Sequence, residues 1–195
     1  KYAGIGASLV AHIKNTRTPF SIDFGVGDVI VPKQEKRKIP TQLDDFASPT
    51  VNTYSLETTI AEKLDAILDL MEFSSRMKDY YDIYYLANKF DFDGATLTKA
   101  LKKTFENRGH AFTIEQFEQV MAFAENEAMQ KKWKAFCRKI DTKTADFNTV
   151  LKTIKEFLVE PFMAAVENKE FEEKWTTLEL SLIHISEPTR RVVIS

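Results

Sequence analysis

From Leu56 to Leu158 the chain sets apolar residues at helical spacing in one run after another, and this pattern constrains the fold more than any other feature. Leu56, Ile60, Leu64, Ile67 and Met71 share one face of a helix that Ser55 is placed to cap, with Glu57 in its first turn. A second helix is predicted over 77–89. A third opens at Gly94, carries Leu97, Leu101 and Phe105, and stops at Gly109. Thr113 and Gln116 have capping-box spacing and are expected to start one long helix, with Phe117, Val120, Met121 and Ala124 on one face, running on towards Trp133, Phe136 and Ile140. Asp146 caps a last helix bearing Val150, Leu151, Ile154, Phe157 and Leu158, which Pro161 is expected to interrupt or kink. Stripes this apolar have to pack on one another, and 15 Phe against 6 Gly and 6 Pro suit aromatic-packed helices better than a loop-rich scaffold.

The N-terminal part reads differently. Ile5, Leu9, Val10 and Ile13 predict a helix over 1–14, followed by a turn at 15–19. Phe20-Ser21-Ile22-Asp23-Phe24 alternates as a half-buried strand does, with Ile22 and Phe24 on one face and Asp23 on the other. Gly25 to Asp28 turns the chain, Val29-Ile30-Val31 can return as a second strand, and 33–38 reads as a charged, solvated loop. A short extended segment is expected at 51–54.

A net charge of −2 argues against a globally basic nucleic-acid binder and leaves room for a local basic patch. Cys137 is the single cysteine, so neither an internal disulfide nor a multi-cysteine zinc site is available, and a reducing cytoplasm fits. His12, His110 and His184 have no metal-ligand spacing, and no apolar run is long enough to cross a bilayer. A start at Lys1 without a signal peptide suggests a missing N-terminus. The run from Leu180 to Arg190 resembles the in-frame translation of a transposase adapter used in preparing sequencing libraries, and 179–195 is therefore expected to be an artefact tail.

Three places carry possible chemistry. Asp23 sits inside an apolar strand that ends at a Gly-rich turn; its face is either merely wet or presents a carboxylate to a hard cation such as Mg²⁺. Lys63 lies on an otherwise apolar helix, where it either snorkels over the core or aims a point charge at a phosphate. Asp79 and Asp82, in Arg76-Met77-Lys78-Asp79-Tyr80-Tyr81-Asp82-Ile83, share a face with Ile83 and Leu86. Two carboxylates on an apolar stripe are costly unless paired, and Arg76, Lys78 and Lys63 are the available partners. A structural ion network and a reactive site both fit that pattern.

Taken together, Ser21-Ile22-Asp23-Phe24-Gly25, Tyr54-Ser55-Leu56-Glu57, Ala61-Glu62-Lys63-Leu64-Asp65-Ala66 and the block from Arg76 to Ile83 resemble, in order, the motifs of the AbiEii-type nucleotidyltransferases, the toxin half of type IV toxin–antitoxin and phage-abortive-infection systems. The resemblance implies an α+β fold: a partial DNA-polymerase-β-like nucleotidyltransferase core over 1–90 followed by an α-helical bundle over 91–178. It implies that Asp23 matches the third metal-binding carboxylate, that Lys63 contacts nucleotide phosphates with Arg76 and Lys78 beside it, and that Asp79 and Asp82 form the later acidic motif. It also implies Mg²⁺, an NTP such as GTP, an RNA or tRNA acceptor, a cognate antitoxin encoded nearby that forms no tight complex, and no membrane.

One departure matters. No Gly-Ser-x-x-x-Asp-x-Asp segment occurs in the sequence, and no carboxylates follow Gly6-Ala7-Ser8 at the right distance. The parent protein is therefore expected to be an enzyme and this chain to be catalytically incomplete. The alternative is a non-enzymatic helical interaction module in which Lys63, Asp79 and Asp82 form a structural ion network. Lys102, Lys103 and Arg108, or Lys131, Lys132, Lys134, Arg138 and Lys139, are either RNA-phosphate contacts or solvated helix faces.

Overall fold

The computed structural model describes residues 4–41, 43–140 and 144–177; the adapter-like stretch lies outside the described residues. The described residues begin with a β-hairpin, β1 (Gly4–Ile13) and β2 (Thr16–Gly25), paired antiparallel with Ile13 opposite Thr16 and Gly6 opposite Asp23. Within the predicted helix over 1–14, residues 4–13 are thus a strand. Ile5, Leu9 and Ile13 are four residues apart, a spacing that suits a helix face and equally every second pair of a strand. The turn at Lys14 and Asn15, with Lys14 at φ 52°, returns the chain at once and supplies a partner strand. Register puts Ile5, Leu9, Phe20, Ile22 and Phe24 on one face of the hairpin and Asp23, Ser8, Ser21 and Arg17 on the other.

The segment after the hairpin is tied to the helices. Asn107 donates to the Gly27 carbonyl at 3.0 Å, and Tyr54 bonds Asp28. Val31 N donates to Thr58 Oγ1 at 2.8 Å while Ser55 Oγ donates to the Val31 carbonyl. These bonds hold 29–31 as a loop against the first helix instead of the strand its composition suggests. Within the charged loop, β3 (Glu35–Lys38) pairs antiparallel with β4 (Thr50–Thr53).

The helices α1 (Leu56–Leu70), α2 (Met77–Lys89), α3 (Gly94–Arg108), α4 (Ile114–Met121), α5 (Glu127–Ile140) and α6 (Phe147–Glu167) share one apolar core. Ser55, Asp93, Thr113 and Asp146 cap α1, α3, α4 and α6 through their side chains, and Gly109 closes α3 at φ 70°. The long helix expected from Thr113 is divided by a 3₁₀ turn over Ala122–Glu125, after which Asn126 accepts from Met129 N at 3.1 Å and starts α5 afresh. Pro161 does not interrupt α6, which runs on to Glu167.

Aromatic rings join the helices. Phe162 of α6 stacks on Phe117 of α4 at 4.7 Å, and Tyr80 of α2 meets Phe147 edge-on at 5.4 Å. The two-residue strands β5 (Phe92–Asp93) and β6 (Lys174–Trp175) pair beside this core and bury Trp175 in it.

Candidate functional site

Helical spacing on α1 places Lys63 among Ile60, Leu64 and Ile67, all fully or almost fully buried, so its stem is carried into the seam against α2. Opposite it, α2 begins after a turn in which Ser74 Oγ accepts from Arg76 N at 3.1 Å. That entry sets Asp79 in the first turn of α2, where the helix N-terminus favours a carboxylate, with Asp82 one turn on.

Lys63 Nζ donates to Asp79 Oδ1 at 2.9 Å and lies 2.6 Å from Asp82 Oδ2. Arg76 Nε is 2.6 Å from Asp79 Oδ2, and Lys78 Nζ is 2.5 Å from Asp82 Oδ2. The Asp79 side chain is only 4% exposed, whereas Arg76 and Lys78 are mostly exposed. The cluster therefore has a buried carboxylate at its base and exposed cations at its rim. Arg76 approaches Asp79 Oδ2 without hydrogen-bond alignment, which leaves that buried oxygen without an aligned donor among the described residues.

Burial by itself would lower the Lys63 pKa, but the hydrogen bonds to Asp82 and Asp79, with their charges, outweigh it and hold the ammonium above its ordinary value. Lys63 is thus a fixed cation at neutral pH, suited to a phosphate and unsuited to act as a base.

Asp23 is not brought into this cluster. It is exposed on the polar face of the hairpin, its carboxylate lies over Gly6 of the paired strand, and it makes no hydrogen bond or ion pair among the described residues. No group of three or more His, Cys, Asp or Glu side chains able to hold a metal occurs among the described residues.

A second charged cluster escaped the sequence reading. Arg108, at the end of α3, pairs with Glu62 and lies 3.5 Å from Asp65 Oδ2, and His110 Nδ1 is 2.9 Å from Asp65 Oδ1. Burial raises the pKa of Asp65, partly offset by His110 and Arg108; burial likewise raises Glu62, partly offset by Arg108. Arg108 is therefore turned inward to the protein, and Lys102 and Lys103 both face Glu106. The one sequence signal was the spacing of Glu62, Asp65 and Asp69 on a single face of α1.

Small antiparallel sheets beside six described helices make this a mixed α+β protein, consistent with a nucleotidyltransferase-like fold. The chain belongs to the AbiEii family: over residues 1–176 it matches the family described as nucleotidyl transferase AbiEii toxin, type IV TA system. No curated protein and no solved structure matches it. Membership places it in a class of nucleotidyltransferase toxins, with a nucleotide substrate and an antitoxin partner in general terms. No described helix is long and apolar enough to cross a membrane.

Proposed function

We propose that this fold transfers a nucleoside monophosphate from an NTP, GTP being one candidate, to the hydroxyl of an acceptor such as an RNA or tRNA end, releasing pyrophosphate. Residues 1–90 serve as the nucleotidyltransferase part and 91–178 as the helical part. The reaction requires a segment bearing Gly-Ser-x-x-x-Asp-x-Asp, which the sequence does not contain, so the 195 residues alone are inactive. The cytoplasm supplies the NTP, and the cognate antitoxin acts without a tight complex.

The observation that carries this reading is the Lys63 ammonium held between Asp79 and Asp82 in the seam of two apolar helices. Asp79 and Asp82 fix the direction and charge of Lys63, which would receive the phosphates of the NTP as a preorganised point charge. Arg76 and Lys78, each tethered to one of the carboxylates, would swing to the same phosphates. The resemblance gives Asp23 to a hard cation; Asp23 stands apart from the Lys63 cluster and no described group of carboxylates could hold a metal with it, so its fellow ligands would have to come from the Gly-Ser-x-x-x-Asp-x-Asp segment and the substrate phosphates. When bound, Mg²⁺ neutralises charge on the phosphates and the leaving group.

A second reading, a helical interaction module with a structural ion network, draws support from the near-complete burial of Asp79. Lys63→Met and Asp82→Asn separate the two. In a chain joined to the first-motif segment, the enzyme reading expects both variants to lose incorporation of labelled NTP into RNA while keeping the far-UV spectrum and a cooperative melt. Full transfer by both variants would overturn it.

A further inference from the structure

We propose that the seam between α2 and α5 is the docking surface for a single-stranded nucleic-acid acceptor, with Phe73 and Tyr85 as exposed stacking residues. This rests on the transfer reading above and gives its acceptor a place on the protein.

The turn that leads into α2 is built to present a ring outward. Phe73 is 85% exposed, yet its backbone is held on both sides: Lys132 Nζ of α5 donates to the Glu72 carbonyl at 2.8 Å and to the Ser74 carbonyl at 3.0 Å. Ser74 is buried, and Met71 before it takes φ 48°, a conformation unfavourable for a non-glycine residue. The backbone on either side of Phe73 is held by a neighbouring helix, while the ring itself stands in solvent and contributes little to the core.

One helical turn beyond Lys132, Phe136 packs on Tyr81 of α2 at 5.9 Å, and Tyr81 stacks on Tyr85 at 6.3 Å and 24°. Tyr85 is 47% exposed. Tyr85 is thus the open end of a row whose other end, Phe136, packs on Trp133 at 5.5 Å, and Phe73 presents a separate exposed ring at the entry to α2. Helical spacing puts cations on the same faces: Lys78 lies three residues before Tyr81 on α2, and Lys139 lies two turns beyond Lys132 on α5. Lys78 also reaches Asp82, so the row abuts the Lys63 cluster.

Open aromatic faces beside cations are what unpaired bases and their phosphates recognise, and stacking tolerates any base. In a duplex the bases are already stacked and the rings would find no partner, so the surface selects a single strand or a frayed end. A net charge of −2 for the whole chain makes this a local patch, not a property of overall charge.

The test uses the 195-residue chain and a fluorescein-labelled twelve-nucleotide single-stranded RNA, read by anisotropy without NTP. The intact chain should bind the single strand more tightly than the matching RNA duplex. Phe73→Ala and Tyr85→Ala should each weaken binding about tenfold. Lys139→Ala should lower the salt slope by about 0.7, while Lys103→Ala, on α3, should change nothing. No binding, duplex preference, or unchanged affinity in both aromatic variants would overturn the proposal. Because no transfer is measured, loss of incorporation with RNA binding intact would strike at the reaction and leave this surface standing.

Discussion

Lys63 Nζ donates to Asp79 Oδ1 at 2.9 Å across the seam of α1 and α2, sixteen residues apart in sequence. Together with the Lys63–Asp82 pair, the contact lies in a seam of buried apolar residues, so it bears on stability as much as on any chemistry. An ion pair in such a place adds little net stability over well-packed apolar residues, but removing one partner strands the other charge.

Lys63→Met should therefore lower stability by about 1–3 kcal/mol, less than for a fully buried pair because Arg76 remains beside Asp79 and Lys63 is partly exposed. The pH dependence has a definite sign. The Lys63 pKa is raised in the folded protein, so its contribution is complete below its ordinary value of 10.5 and is lost as pH rises through the folded value. Urea unfolding should show a gap between wild type and Lys63→Met that is constant from pH 7 to 9 and narrows above pH 10.5. A gap that narrows near neutrality would show that Lys63 is not the cation its surroundings make it.

Arg108→Ala removes the cation that offsets the burial of Glu62 and, after His110, that of Asp65. A loss of about 2 kcal/mol is expected at pH 7. Both carboxyls have raised folded pKa values, so the folded state holds its protons more tightly than the unfolded state. Stability tied to them is greatest below their ordinary values of 4.5 and 3.8 and is lost as pH rises through the folded values. The variant's deficit should accordingly shrink between pH 7 and pH 4.5, which denaturation at the two pH values would read directly.

What the sequence disclosed depended on whether the relevant periodicity was local. Asp79 and Asp82 on one stripe, opposite a lone Lys63, announced a polar cluster because charges on an apolar helix face need partners. Ser55, Thr113, Asp146 and Gly109 announced helix ends because capping is settled within a few residues. The N-terminal strand was hidden because Ile5, Leu9 and Ile13 satisfy two periods at once, and only the pairing with Thr16–Gly25 chooses between them. The break at Asn126 was hidden because the apolar stripe continues on both sides of it. The Glu62–Arg108 pair joins residues 46 apart, and no spacing rule reaches that far.

Gly94 should tolerate no side chain. A Cβ there would lie 2.1 Å from the Glu173 carbonyl oxygen and 2.6 Å from the Phe171 ring, and the Gly94 N–H already donates to that carbonyl at 3.0 Å. Gly94→Ala therefore pushes the β6 strand off the start of α3 and should cost about 1–3 kcal/mol, even though alanine is the better helix former. A melting temperature equal to or above wild type would show that the contact yields without cost.

Trp175 offers a sharper dissection, because its ring and its N–H act on different elements. The ring packs on Phe157 of α6 at 5.0 Å and is almost fully buried. The indole Nε1 donates to the Ala87 carbonyl at 2.7 Å. Ala87 is in the last turn of α2, where carbonyls have no partner within the helix, so Trp175 supplies an acceptor's missing donor from the far end of the chain. Trp175→Phe keeps most of the ring volume and leaves that buried carbonyl unsatisfied, for an expected loss of about 1–3 kcal/mol. Trp175→Ala adds a cavity beside Phe157 and should bring the loss to about 3–5 kcal/mol. Amide exchange should resolve the two effects: Trp175→Phe should speed exchange in the last turn of α2 and leave α6 protected, whereas Trp175→Ala should loosen both. Equal loosening of α6 in both variants would mean that ring packing alone accounts for the residue.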